Sequence, residues 1–413
     1  MSKLKVIKRD GLIKDFDEGR IISAVKKAYE EAELEVNIDI LGDILKKVQE
    51  VGKDKERLSV EEIQDVVVDI LKKEENIVGE LYEKYRLERN FEREKNSEFN
   101  KLVNKTLNCL DVQNSNANVD ESSFGGRKFE CAGALMRQHA LNFLIPKDIA
   151  DAHRKNQVYQ HDLDSYSIGE HNCAFVDGKA LINKTGFSTR NGDVRPSKNL
   201  ETALQLLAVI FQIQSQEQYG GVGLANYDYE LEEQVNISFR KLFSEVIEDD
   251  YSKFIYWEDL PEEIHIENED ELTEKYPEIM NKVMKKLNKK GLNATIGLYH
   301  NLNTLESRPG SQVPFTSINL GLRTTNAARL LTKWVFEASL DGIGEHHRTS
   351  IFPISIFQYS KGINSDKGDP NYDLKQLAIK SMTHRIYPNW VNNDWSNNVY
   401  DPNNPETAMS TMG

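Results

Sequence analysis

The stretch from Tyr159 to Cys173 (YQHDLDSYSIGEHNC) limits what this chain can build. In fifteen residues it holds two histidines, two aspartates, two tyrosines and one of only three cysteines. Tyr159, Gln160 and His161 read as the end of a short strand, and Ala174, Phe175 and Val176 as a second one. Between them Asp162, Asp164 and Ser165 favour a turn, because their side chains bond nearby backbone N–H groups. Gly169 loosens the chain ahead of His171, Asn172 and Cys173. Titratable groups set between apolar strand fragments suit a site at the mouth of a barrel or sheet. They equally suit a polar loop with one buried cysteine.

Whole-chain properties exclude several classes. At 413 residues the length fits two or three domains with a substantial core. The net charge of −14 argues against a nucleic-acid groove or an anionic membrane surface as partner, so a phosphate-bearing ligand needs local basic groups. No apolar run approaches the ~20 residues of a membrane span, and the opening MSKLKVIKRDG lacks the apolar segment of a signal peptide. Cys109, Cys131 and Cys173 are too few and too scattered for a disulfide framework or a zinc site, and a cytoplasmic location is expected.

The first ~90 residues read as one module. Lys5 to Arg9 and Leu12 to Phe16 flank Asp10-Gly11, a dipeptide favoured in tight hairpins because it tolerates positive φ. Ile21, Ile22, Val25, Ala28 and Tyr29 follow at helical spacing. Ser59 and Glu62 form an S-x-x-E capping box ahead of the apolar face Val60, Ile63, Val66, Val67, Ile70 and Leu71. A further helix is expected from near Ile77 into the charged run Arg86 to Glu98. Lys8, Arg9 and Arg20 are placed to clamp a triphosphate, or to form a solvated basic edge.

VIKRDGLIKDFDEGRI resembles the opening of an ATP-cone, the nucleotide-sensing module of many ribonucleotide reductases, and YEKYRLERNFEREK resembles its end. The resemblance implies ATP or dATP as effector, with Val6, Lys8, Arg9, Asp17, Arg20 and Ile21 at nucleotide-contacting positions. It places the cone at 1–93 and a catalytic domain at 94–413.

Beyond the cone, Asn114 to Phe124 is rich in turn formers, Glu130 to Leu144 has helical spacing, and Pro146 suits the start of a helix over Lys147 to His153. TRNGDVRPSKNLETA reads as a loop feeding a long helix with Ala203, Leu206, Leu207, Ile210 and Ile213 inward, ended by Gly220-Gly221. Residues 228–295 read as acidic and helical, with Glu258 to Glu274 at the surface, and Thr325 to Leu340 as an amphipathic helix stopped at Gly342.

In order and spacing, NSNANVDESSFGG, HDLDSYSIGEHNC, GFSTRNGDVRPSKNLETALQLLAVIFQIQSQEQYGGV, HHRTSIFPISIF, KGDPNYDLKQLA and RIYPNW resemble the catalytic subunit of the anaerobic (class III, glycyl-radical) ribonucleoside-triphosphate reductases. The implied fold is α/β: a helical ATP-cone with a β-hairpin, then the first part of a ten-stranded α/β barrel made of two five-stranded halves. The implied activity is radical reduction of ribonucleoside triphosphates to deoxyribonucleoside triphosphates. A stored glycyl radical generates a cysteine thiyl, a second cysteine lies beside it, and formate supplies the reducing equivalents. On that match Cys173 is the second cysteine, while His161 and Tyr166 orient substrate or formate. Asp193 to Gln214 resembles a second effector site near a homodimer interface, with Arg195 and Lys198 available for phosphate; the alternative is ordinary solvated charge. Cys109 and Cys131 match no radical position and are expected as buried small residues; His346 and His347 are expected to be structural.

Family members continue past TAMSTMG with the thiyl cysteine, further barrel strands, a four-cysteine zinc module and an R-x-C-G-Y glycyl-radical motif. The chain is therefore expected to be incomplete alone. It would be a split, interrupted or truncated reductase working with a C-terminal half and a radical-SAM activating protein. The alternatives are a non-catalytic nucleotide-sensing or assembly module, another glycyl-radical enzyme such as a formate-lyase relative, or a plain structural protein.

Overall fold

The computed structural model describes residues 4–9, 13–55, 57–97, 100–101, 103–104, 123–251, 255–395, 401–408 and 410–412. It divides into two units, 1–104 and 105–413.

In the first unit β1 (Lys5–Ile7) pairs antiparallel with β2 (Ile13–Asp15), in a register that sets Ile7 opposite Ile13. The hairpin read from sequence is present, although its Asp10-Gly11 lies outside the described residues. The other edge of β1 pairs in parallel with β3 (Arg57–Ser59). Helix α1 (Glu18–Glu31) starts at Asp17, whose carboxylate accepts the Gly19 N–H at 3.0 Å. Helix α2 (Ile38–Lys55) and the parallel pairing of β3 were not foreseen. Ser59 caps α3 (Val60–Glu74) with both halves of the capping box made, and α4 (Asn76–Lys95) packs along α3. Val6, Val25, Tyr29, Ile44, Leu58, Val67, Leu71 and Val78 form the core beneath the small sheet.

The second unit opens with α5 (Phe124–His139), capped by Ser123, a π-turn at Ala140–Leu144, and α6 (Lys147–Arg154) directly after Pro146. The expected strand at Tyr159–His161 is absent. The chain turns there instead, with Asp162 at φ 50°, and makes one short helix, α7 (Leu163–Tyr166). Asp162 takes the left-handed conformation that aspartate adopts more readily than most residues, and this ends any extended run at His161. Next come β4 (Ala174–Phe175) and a π-turn at Lys179–Lys184. The stretch read as a loop carries a hairpin, β5 (Phe187–Thr189) with β6 (Gly192–Val194), closed by Arg190 and Asn191.

Helix α8 (Leu200–Gln214), capped by Asn199, buries Ala203, Leu207 and Ile210 as expected. Ile213, expected inward, is exposed, and the helix stops at Ser215 rather than at Gly220-Gly221. Those glycines lead into β7 (Val222–Leu224). They are followed by α9 (Tyr227–Tyr251), α10 (Glu269–Lys275), α11 (Pro277–Thr304), β8 (Thr316–Leu320), α12 (Asn326–Asp341), β9 (Ile354–Tyr359), α13 (Tyr372–His384) and β10 (Asn389–Asn392). Within Glu258 to Glu274 the acidic residues face out except the half-buried Glu269, while Leu260, Ile264, Ile266 and Leu272 are buried.

The five longer-range strands form one parallel sheet in the order β10-β9-β8-β7-β4, the number expected in one half of the barrel. Alternation along each strand separates its faces. Val222, Leu224, Ile318, Leu320 and Phe357 point into the helical layer, where Trp334, Phe211, Tyr227 and Phe239 fill the core. Gly223, Ser317 and Asn319 point the other way.

Candidate functional site

Cys173 stands one residue ahead of β4, with an exposed thiol. The segment Gln218–Gly221, which precedes β7, forms the wall beside it. The Gly221 N–H donates to the Cys173 Sγ at 3.3 Å, the Tyr219 N–H to the His171 carbonyl at 2.9 Å, and the Ala174 N–H to the Gly221 carbonyl at 3.0 Å. A Cβ added at Gly220 would lie 2.6 Å from Sγ, so the cysteine fits only because residue 220 has no side chain.

Arg308 holds this wall from behind. It is 7% exposed, and Nη2 donates to the Gln218 carbonyl at 3.0 Å and to that of Tyr219. Its guanidinium lies 4.1 Å from the centre of the Phe315 ring. Burial lowers its pKa to about 10, opposed by the nearby charges of Glu170, Cys173 and Asp162. The same three groups surround Tyr219, whose hydroxyl is raised first by burial and then by Asp162. Arg308, Gln218 and Tyr219 were not singled out from sequence; the Gly220-Gly221 pair was the available signal, since adjacent glycines mark close approach.

The chain returns to this spot at its other end. Asn319 accepts the Thr411 N–H at 3.1 Å and donates to the Thr411 carbonyl at 3.0 Å. The Ser410 hydroxyl donates to the Ala225 carbonyl at 2.7 Å, and that of Ser317 to the Met412 sulfur at 3.3 Å. Residues 410–412 thus run back along β7 and β8, and Met412 arrives beside Gly221, whose N–H bonds Cys173.

The other two residues matched to the catalytic motif are not brought onto the thiol. His161 is exposed and its Nδ1 meets the neighbouring Asp162 carboxylate; Tyr166 is half exposed at the end of α7. Among the described residues neither hydrogen-bonds Cys173. A cavity of about 580 Å³ adjoins this stretch, lined by Phe129, Met136, Asp164, Ser165, Glu170 and His171 among others. Cys131 on α5 is half-buried rather than buried, with burial raising its thiol, and Cys109 lies outside the described residues. His347 bonds the Asp341 carbonyl at 2.8 Å in an exposed turn. Among the described residues no group of three or more His, Cys, Asp or Glu is arranged to hold a metal.

The expected nucleotide contacts of the cone gather near β1 and the start of α1. Val6 and Ile21 are buried in the core, Asp17 caps α1, and Arg20 pairs with Asp17 at 3.5 Å. Lys8 is half-buried; Arg9 is exposed and bonded to Glu61 and Gln64 on α3. Separately, Arg195 and Lys198 line a second cavity of about 360 Å³, with Asp193, Ser197, Asn199 and Thr202.

Residues 115–413 match the family model for the anaerobic ribonucleoside-triphosphate reductase. The chain belongs to that family. Residues 4–94 match the ATP cone domain. The reductase of Haemophilus influenzae is 30% identical over 403 residues, covering 95% of this chain and 53% of that protein. For Escherichia coli the figures are 29% over 395 residues, 94% and 51%. The chain thus spans about half the length of the curated relatives it matches. The anaerobic ribonucleotide reductase of Thermotoga maritima, solved with dATP and CTP, is 15% identical with a TM-score of 0.48, covering 76% of this chain and 48% of that one. Among the described residues, no helix is long and apolar enough to cross a membrane.

Proposed function

We propose that this chain supplies the N-terminal portion of an anaerobic ribonucleoside-triphosphate reductase, with an ATP-cone over residues 1–93 and the first part of the catalytic barrel over 94–413. Ribonucleoside triphosphates are the substrates, and ATP or dATP the effectors. Cys173 is the cysteine beside the radical residue, while His161 and Tyr166 orient substrate or formate. The observation that carries this reading is the meeting of two distant segments at one end of β7. Cys173 accepts the Gly221 N–H, and Met412 lies against the same glycine. Polypeptide continuing past 412 would emerge beside the thiol, where a second sulfur is needed.

The glycyl radical and zinc belong to the C-terminal half, and a radical-SAM protein activates it. The whole works in the cytoplasm as a homodimer. The cavity at Arg195 and Lys198 takes the specificity effector. Its supports are two cations among the lining residues and the N-terminus of α8, capped by Asn199.

The deciding experiment mixes the purified chain with its complementing C-terminal half and activates it anaerobically. Deoxynucleotide formation that disappears in Cys173→Ser supports the proposal. Nucleotide binding without any product leaves a sensing module instead. Arg9→Ala is expected to weaken ATP binding by calorimetry without unfolding the cone; unchanged affinity would remove that assignment.

A further inference from the structure

Glu61 stands in the first turn of α3 and holds two guanidinium groups at once. Its Oε1 meets Arg9 Nε at 2.5 Å, and its Oε2 meets Arg86 Nη2 on α4 at 2.9 Å. The remaining prongs are also held: Arg9 Nη2 donates to Gln64 at 3.0 Å, and Arg86 Nη1 to Asp65 at 2.7 Å. More cations crowd the same place, since the pKa of Arg93 is lowered by burial and then by the charges of Arg9 and Arg89. Arg9, just past β1, and Arg86 of α4 therefore share the Glu61 carboxylate, with the charges of Arg89 and Arg93 close by.

We propose that Glu61 is a built-in counter-ion of the cone's nucleotide site, occupying guanidinium groups that the polyphosphate of an effector must take from it. The inference rests on the effector reading of Arg9 given above, and adds Arg86 and Glu61 to that site. Each guanidinium places one N–H on a different oxygen of the Glu61 carboxylate, and the same donors are the ones that bind phosphate oxygens. The Arg9–Glu61 pair is displaceable: its side chains are 38% and 44% exposed, and exposed ion pairs are weak, whereas Arg86 is 17% exposed and also held by Asp65. A nucleotide carrying several negative charges on adjacent phosphates competes well against a single carboxylate. The free cone would thus carry its own weak competitor, and the apparent affinity for effector is lowered by the population in which Glu61 is seated.

The test titrates ATP into the 413-residue chain by calorimetry, comparing wild type, Glu61→Gln, Arg9→Gln and the double variant. Glu61→Gln is expected to bind about two- to fivefold tighter, the fold-change matching the strength of an exposed ion pair. Arg9→Gln is expected to lose more affinity in the Glu61→Gln background than in wild type, because Glu61 no longer masks Arg9. Glu61→Asp, too short to reach both guanidinium groups, serves if Glu61→Gln does not fold, and is expected to tighten binding by less. Wild type that binds ATP while neither Glu61 variant binds tighter overturns the counter-ion. Wild type that binds neither ATP nor dATP overturns the effector reading itself.

Discussion

Replacing Gly220 with alanine tests whether the wall beside Cys173 is as tight as the geometry indicates. The new Cβ would sit 2.5 Å from the Asn172 Oδ1, 2.5 Å from the Cys173 backbone N and 2.6 Å from its Sγ. Ordinary contact begins at 3.4 Å, so the gap must widen by roughly 1 Å. Asn172 can rotate away, but the Cys173 nitrogen belongs to backbone that leads straight into the Ala174–Gly221 bond of the sheet. Residue 220 does not have positive φ, so backbone strain is not the cause. Overpacking of this kind destabilises by about 1–3 kcal/mol, offset by about 0.4–1 kcal/mol from the less flexible unfolded chain. A net loss of about 1–2 kcal/mol is expected in urea unfolding, together with an altered rate of Cys173 alkylation mapped by peptide mass spectrometry. Gly297→Ala on α11, with nothing within 4 Å of its Cβ, is the control and is expected to stabilise by about 0.5–1 kcal/mol. If Gly220→Ala matched wild type in both stability and alkylation, the close wall would be refuted.

Three other outcomes follow from the same structure. Ser59→Ala removes the acceptor of the Glu62 N–H and is expected to destabilise the cone by about 1 kcal/mol in thermal unfolding. Arg308→Met leaves the Gln218 and Tyr219 carbonyls without their donor and should cost about 2–4 kcal/mol, read by denaturation; a neutral result would mean that water replaces the guanidinium. Glu230 is raised by burial from 4.5 to about 7, although it accepts the Gly178 and Asn226 N–H groups. A raised carboxyl favours the fold fully below pH 4.5, and that contribution is lost as pH rises through 7. Subtracting the stability–pH curve of Glu230→Gln from that of wild type should isolate this decline; coincident slopes between pH 4.5 and 7 would count against it.

What was readable in the sequence was local. The capping box at Ser59, the helix stop at Gly342 and the Pro146 boundary each depend on one residue's own backbone chemistry, and each is found where expected. The core strands are different. β4 has two residues and β7 three, too short for any period to register, and they exist because neighbouring strands hydrogen-bond them. Ile213 illustrates the same limit: its spacing fits the buried stripe of α8, yet in the last turn it is exposed while Ile210 and Phe211 are buried. Cys173 was legible as chemistry, but its setting was not. The wall at 218–221, its support from Arg308 and the approach of residues 410–412 join segments 48 to 239 residues apart.

The two faces of the parallel sheet explain why those distant segments converge. Sheets of this kind are normally buried on both sides, and their strands then read as apolar throughout. Here the face toward α8, α9, α11 and α12 is apolar; over β7 and β8 the other presents Gly223, Ser317 and Asn319, all buried, with Ile356 of β9 beside them. Buried polar side chains need partners, and these find them in the return of the chain: Ser317 with Met412, Asn319 with both backbone groups of Thr411. Gly223 leaves room, since a Cβ there would strike Ser317 at 2.7 Å. Over β7 and β8 this face thus holds an irregular strand of polypeptide against polar side chains. That requirement is what carries residues 410–412 along β7 and β8 to the edge where Cys173 waits.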